Sequence, residues 1–315
     1  MAAQYFADEN ARRNYLIRKI VGKVFLYLFI TLFALFILTP FIFMVWGSFV
    51  DKEAFKTFTS TGDFAKLGEL SVNNYADIFS STYKNSLDGS TTPRPSFAQY
   101  FLNTFIVAIS STLVTVVTAV LAAFAFARLE FKGKNALFAG LLATMMIPGE
   151  MMVITNYQTT IQLDWKFTFS ALIFVHGVSV FYIFYLRQAF QQIPNELYLA
   201  AKVDGVNDIE YLLKVMIPIA MPTIVTILIL SLMGSWNSYI WPTLVANGNW
   251  KYNKEYNMQL VSNGLMSLFS VTEGSSGYDA VKIAGSMVVT APLFVFFLIF
   301  REYIMRGVSR SGIKG

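Results

Sequence analysis

The sequence predicts an all-α polytopic membrane protein with six transmembrane helices. Three observations carry that prediction: a scarcity of charge, six long apolar intervals almost free of it, and an uneven distribution of Lys and Arg. Only 14% of the 315 residues are charged, 55% are hydrophobic, and the mean hydropathy is positive. A soluble domain carries roughly 25% charged residues to cover its core, a need that lipid removes. The 30 Phe and 16 Tyr fit the same environment. The chain has no Cys and a single His, His176, so thiolate catalysis, disulfides and the usual multi-histidine metal site are excluded. Its net charge of +5 reads as the cytoplasmic bias of a membrane chain, not as affinity for nucleic acid.

A spanning helix needs about 20 mostly apolar residues. Such intervals, free of charge except for Glu150, lie near 24–48, 101–127, 135–157, 167–186, 215–236 and 283–300. The first comes after an N-terminal segment, 1–23, that carries Arg12, Arg13, Arg18, Lys19 and Lys23. Its apolar run continues past Pro40 to Val50, well beyond the roughly 7–15 residues of a secretory signal core, so it reads as an anchored helix. Residues 51–100 and 237–282 are polar and dotted with Gly, Ser, Asn and aromatics. They read as external surface loops with too little apolar sequence for cores of their own. The region 101–305 carries the remaining five intervals, and 306–315 forms a tail.

Lys and Arg concentrate near the cytoplasmic ends of spans. With the N-terminus inside, fifteen of the 24 fall on cytoplasmic segments, including Arg128, Lys132, Lys134, Arg187, Lys202 and Lys214. Both termini are therefore expected in the cytoplasm.

Between the fourth and fifth intervals, residues 194–210 read as a short helix, a break and a second short helix. Pro194 and Glu196 suit a first turn, Asp204-Gly205 is a turn signal, and Asn207 or Asp208 can cap the second helix. Leu197, Ala200 and Ala201 share one narrow face opposite Glu196 and Lys202. Such a helix can lie in a groove of another protein.

This segment resembles the cytoplasmic EAA loop of type I ABC importer permeases, approximately E-A-A-x-x-D-G, nine variable residues, then I-x-L-P. The chain offers Leu199-Ala200-Ala201-Lys202-Val203-Asp204-Gly205 and, at the expected distance, Met216-Ile217-Pro218, so the loop extends over 194–218. Leu199 stands where the family usually has Glu, and Glu196 lies one turn earlier. Further stretches resemble the second permease of maltose-type and multiple-sugar importers: Asn73-Asn74-Tyr75, Phe101-Leu102-Asn103-Thr104, Ala125-Phe126-Ala127-Arg128, Met146-Ile147-Pro148, and the tail from Arg306 to Gly315.

The resemblance implies a permease subunit of an ATP-driven, binding-protein-dependent importer of sugars, oligosaccharides in particular, in a prokaryotic cytoplasmic membrane. It implies a second, different permease, two ATPase subunits that bind ATP and Mg, and an extracytoplasmic sugar-binding protein. The chain lacks G-x-x-x-x-G-K-[ST], so it is not expected to be the ATPase, and with no nucleophile–base pair or metal cluster in the sequence it is expected to be no other enzyme and to hold no cofactor. Glu196, Leu199, Ala200, Ala201, Asp204, Gly205 and Pro218 are then the ATPase-coupling residues. Gly307, Gly312, Lys314 and Gly315 belong to a tail reaching toward the ATPases. Trp250, Tyr252 and Tyr256 resemble a loop that probes the docked binding protein.

Sugar recognition needs aromatic faces and directional hydrogen bonds. Asn156, Tyr157, Tyr185, Ser235, Trp236, Asn237 and Tyr239 are the candidate substrate path, against a competing reading of helix packing or an interfacial belt. His176 reads as an interhelical hydrogen-bonding residue. The rival classes are an ion-coupled secondary transporter and a non-energised channel or structural subunit. Ion coupling places ionisable groups inside the membrane, and Glu150, after Pro148-Gly149, is the one carboxylate within the six intervals.

Overall fold

Helices track the long apolar intervals wherever those are unbroken. The computed structural model describes residues 9–63, 68–80, 82–84, 91–93, 96–246, 258–271 and 279–309. The first interval lies in α1 (Glu9–Phe49), whose 41 residues extend about 60 Å at 1.5 Å per residue. Its spanning portion is unburied within this chain. Next along the chain are the short helices α2 (Lys52–Thr61) and α3 (Asn73–Phe79) and a hairpin of β1 (Thr82–Lys84) and β2 (Thr91–Pro93). Then come α4 (Phe97–Arg128), α5 (Lys134–Thr144), α6 (Gly149–Gln162), α7 (Phe169–Ile173), α8 (Val180–Gln191) and α9 (Asn195–Val203). The helix α10 (Asp208–Tyr211) runs through a π turn, Leu212–Met216, into α11 (Ile217–Trp236). The chain continues through α12 (Ile240–Val245) and α13 (Val261–Val271) to α14 (Asp279–Ser309).

Two of the six expected spans are not single helices. The third is a bent pair, with α5 and α6 meeting at 98°. Pro148 causes the break, since proline cannot donate a helical N–H and biases the residue before it away from helical geometry. The fourth is interrupted between α7 and α8 at residues 174–179. Among the described residues, four helices are long and apolar enough to cross a membrane, or five if the bent pair is one span.

The core is organised on α4, which packs against α7, α8, α11 and α13. Ala108, Ser111, Thr112, Thr115, Ala119 and Ala123 recur every three or four residues along it and are all buried. In lipid, apolar side chains gain little by leaving one oily surface for another, so close backbone approach over small residues and interhelical hydrogen bonds hold helices together. One cluster joins Phe124 of α4, Leu186 and Phe190 of α8, and Tyr211, Met216 and Ile227 on the α10–α11 rod. A second joins Tyr100, Trp236, Val261 and Val281, and a third joins Val107, Leu172, Trp241 and Leu260.

The long polar segments expected as surface loops contain short helices that enter this core. Phe55 of α2, Ile78 of α3, Trp241 of α12 and Val261 of α13 are all buried. Polar side chains fix them in place. Asn74 donates to the carbonyls of Ser48 and Val50 at 3.0 and 2.8 Å, tying α3 to the end of α1. Asn103 donates to the Gln259 carbonyl at 3.0 Å, and Thr104 Oγ1 accepts the Val261 N–H at 2.9 Å, so α4 caps α13.

Candidate functional site

The coupling segment folds as a helix–turn–helix. Pro194 occupies the N-cap of α9, and Gly205 turns the chain at φ +76°. Of the two candidate caps for α10, Asn207 serves, its Oδ1 accepting the Glu210 N–H at 2.8 Å. Asp208 is instead part of a clamp, its Oδ1 accepting from both Lys202 Nζ and the Tyr198 hydroxyl at 2.7 Å. Hydrogen bonds from Lys202 and then Tyr198 hold the Asp208 carboxyl below its usual pKa, and the bond to Asp208 raises Lys202 above its own. Burial first, then the bond to Asp208, raises the Tyr198 phenol.

This clamp fixes which face of α9 is free. Tyr198 and Ala201 turn inward and pack on the first core cluster. Leu197, Leu199, Ala200 and Val203 stay exposed, with Val203 88% and Leu199 56% accessible. Lipid does not account for that exposure, because Glu196, Lys202, Asp204 and Glu210 surround the same two turns. The opposite end is anchored by Arg128, the last residue of α4. Its guanidinium donates to the carbonyls of Phe190 and Ile193 at 3.1 and 2.5 Å, and to Asn195 Oδ1 at 3.5 Å.

Of the seven coupling positions, Glu196, Leu199, Ala200, Asp204 and Gly205 are exposed together at this corner, and Ala201 faces the core. Nothing within the chain lies within 4 Å of where a Gly205 Cβ would sit, so positive φ and not crowding calls for glycine there. Pro218 is exposed at the start of α11, beyond the π turn. It supplies no backbone N–H, and it stands at the first turn of α11, where a proline is tolerated. Gly307 lies in the last turns of α14. Gly312, Lys314 and Gly315 lie outside the described residues, as do Trp250, Tyr252 and Tyr256.

The substrate-path candidates do not converge. Trp236 is 2% exposed in the second core cluster, its Nε1 donating to the Val289 carbonyl at 3.3 Å. Tyr157 accepts from Lys166 Nζ at 2.9 Å, and the Tyr185 ring stacks on Phe181 at 6.3 Å. Asn237 bonds back to the Met233 carbonyl, the Asn156 carbonyl accepts from Thr160, and Tyr239 is exposed. These contacts are packing and local capping. Glu150 is exposed in the first turn of α6, at the bend.

Ser235 alone among them lines a cavity of about 290 Å³ between α4, α11, α12 and the 174–179 break. The sequence reading did not single out its further serines, although a signal existed. Ser231, Gly234, Ser235 and Ser238 share the i, i+3, i+4, i+7 spacing of one helix face, and His176-Gly177 marks the break. His176 makes no hydrogen bond through its ring among the described residues. The ring sits edge-on to Trp241 at 5.4 Å and lines the cavity, which corrects its reading as an interhelical hydrogen-bonding residue.

A family described as binding-protein-dependent transport system inner membrane component matches residues 11–310 of the chain. The chain is 29% identical over 216 residues to the arabinooligosaccharides transport system permease protein AraQ of Halalkalibacterium halodurans, covering 69% of this chain and 74% of that one. It is 27% identical over 299 residues to the trehalose/maltose transport system permease protein MalG of Thermococcus litoralis, covering 94% and 99% respectively. Its fold matches a chain of a bacterial ABC transporter involved in the import of the acidic polysaccharide alginate, with a TM-score of 0.70 and 21% identity over 95% of this chain and 99% of that one.

Proposed function

The chain belongs to the binding-protein-dependent transport system inner membrane components, and from that premise we propose that it is one of two different permease subunits of an ATP-driven sugar importer. The relatives named for arabino-oligosaccharides and for trehalose and maltose support a sugar as cargo. In this reading the bent third and interrupted fourth segments each count as one crossing, giving six, with both termini in the cytoplasm. An external binding protein delivers the sugar, and two partner ATPases bind ATP with Mg and supply the energy.

The observation that carries the reading is the apolar face of α9, exposed among charged neighbours and held at both ends. ATPase subunits seated on Leu199, Ala200 and Val203 would move α9 when they close around ATP. Arg128 ties α9 to the end of α4, and the Lys202–Asp208 clamp ties it to α10 and so to α11. A displacement of α9 therefore moves two helices that frame the cavity, which is rigid-body alternating access. The tail from Gly307 to Gly315 is assigned to the same ATPase side.

Reconstituted vesicles test this. With partner permease, ATPases and binding protein present, sugar uptake is expected only with ATP inside the ATPase compartment. Uptake by this chain alone, driven by a proton or sodium gradient and indifferent to ATP, would replace the importer reading with a secondary transporter.

A further inference from the structure

We propose that the cavity between α4, α11 and the α7–α8 break is a subsite of this subunit for one uncharged sugar ring, selecting neutral over acidic oligosaccharides. The inference rests on the reading of the chain as a sugar-importer permease and assigns part of the cargo contact to this subunit.

The first argument is unspent hydrogen bonding. Ser231 Oγ, Ser238 Oγ and the His176 ring line the cavity without a hydrogen-bond partner among the described residues, while Ser111 and Ser235 bond to each other at 3.0 Å. At membrane depth polar groups without partners are costly, so such a set is retained where water or hydroxyl groups enter. The volume of about 290 Å³ sits at the lower end of the roughly 300–1,000 Å³ of small-molecule sites, enough for one ring and not for a whole oligosaccharide.

The second argument is the break itself. Residues 174–179 leave helical geometry inside a membrane segment, and two α4 hydroxyls take up the freed carbonyls. Thr118 Oγ1 donates to Gly177 O at 2.8 Å and Thr115 Oγ1 to His176 O at 3.4 Å. Irregular backbone survives at that depth only where it is buried in protein or lines a cavity, and discontinuous helices of this kind frame transport sites. The break turns His176 and Ser179 toward the cavity, beside the Trp241 ring.

The third argument is charge. The lining includes no Lys, Arg, Asp or Glu. A carboxylate on a uronic ring would be desolvated there with no cation to pair with, whereas hydroxyls match the serines and an apolar sugar face matches Trp241.

The fold supplies its own probe. A Cβ at Gly234 meets nothing within 4 Å, and Gly234 lines the cavity, so Gly234→Leu fills the space without an immediate clash. A second variant, His176→Phe, keeps the ring against Trp241 and deletes both nitrogens. The assembled importer in proteoliposomes is given ATP and trisaccharides of glucose, arabinose and mannose, alongside trisaccharides of galacturonate and mannuronate. Wild type is expected to carry at least one neutral sugar and neither uronate. Gly234→Leu, shown to assemble by co-elution with its partners, is expected to carry that sugar about tenfold slower or worse, and His176→Phe to raise its KM. Uptake within twofold of wild type in an assembled Gly234→Leu complex, or preferred uptake of a uronate, overturns the subsite and leaves the importer reading standing. ATP-driven uptake of no sugar by wild type overturns both.

Discussion

The Arg128 guanidinium donates to the carbonyl oxygen of Ile193 at 2.5 Å, joining the end of α4 to the chain that leads from α8 into α9. Arg128 is 8% exposed, and the same group caps the Phe190 carbonyl at the end of α8. The carbonyls at the end of α8 thus face a cation, which also complements the helix dipole. Removing the side chain leaves the Ile193 carbonyl without this donor, while the Phe190 carbonyl keeps the Ile193 N–H at 3.3 Å. Arg128→Ala should cost about 2–4 kcal/mol in thermal unfolding of the solubilised complex, and Arg128→Lys should recover only part, since one ammonium cannot match the planar fork.

Gly205 sets the corner between α9 and α10. With open space around it and φ at +76°, Gly205→Ala should cost about 1 kcal/mol through backbone strain alone, and Gly205→Asn less. Gly205→Pro is a different change. It locks φ near −65° and deletes the N–H that donates to the Lys202 carbonyl at 3.1 Å. Co-purification of the ATPase subunits should survive in the Asn variant and be lost in the Pro variant. Normal retention by Gly205→Pro would reduce the segment to a connector.

The Lys202–Asp208 clamp has a pH window whose sign is set by the two shifts. Asp208 is held below its ordinary value, so its contribution is complete above a carboxylate pKa of about 4 and is lost as pH falls through the lowered folded value. Lys202 is held above its ordinary value, so its contribution is complete below about pH 10 and is lost as pH rises past the raised one. Between those limits the clamp is constant. Hydrogen exchange at neutral pH should show α9 amides less protected in Asp208→Asn than in wild type. The two should converge only in acid strong enough to protonate Asp208.

Gly264 of α13 faces the Tyr100 ring so closely that an added Cβ would lie 2.5 Å from Cδ2. Gly264→Ala should therefore destabilise by about 1–3 kcal/mol through overpacking. Tyr100→Val should relieve that clash, so thermal unfolding of the double variant should show a loss smaller than the sum of the two single losses.

How much of this was legible in the sequence depends on where each structural cause lies. The first, second, fifth and sixth expected spans each lie within a single long apolar helix, and hydropathy finds them. The bend at Pro148 had a visible cause, but hydropathy averages over it. The break at 174–179 contains no proline. It depends on the hydroxyls of Thr115 and Thr118, about 60 positions earlier, and on the approach of Val114, which leaves no room for a side chain at Gly177. Such partners are invisible to local pattern. The coupling corner was legible because turn, cap and helix signals are local and charged. The directions in which Trp236 and Tyr157 face were not legible, for the converse reason. A helix that is apolar all round does not show which way it faces until its neighbours are known.

The measurement that bears most directly on the central claim, that energy enters through the free face of α9, is ATP-driven uptake by a complex carrying Leu199→Lys and Val203→Lys together. Both side chains are exposed, so stability of the chain itself should change by no more than about 0.5 kcal/mol per site. Loss of ATPase co-purification and of uptake, with the chain still folded and membrane-inserted, is the expected result. Uptake and ATPase retention equal to wild type would contradict it.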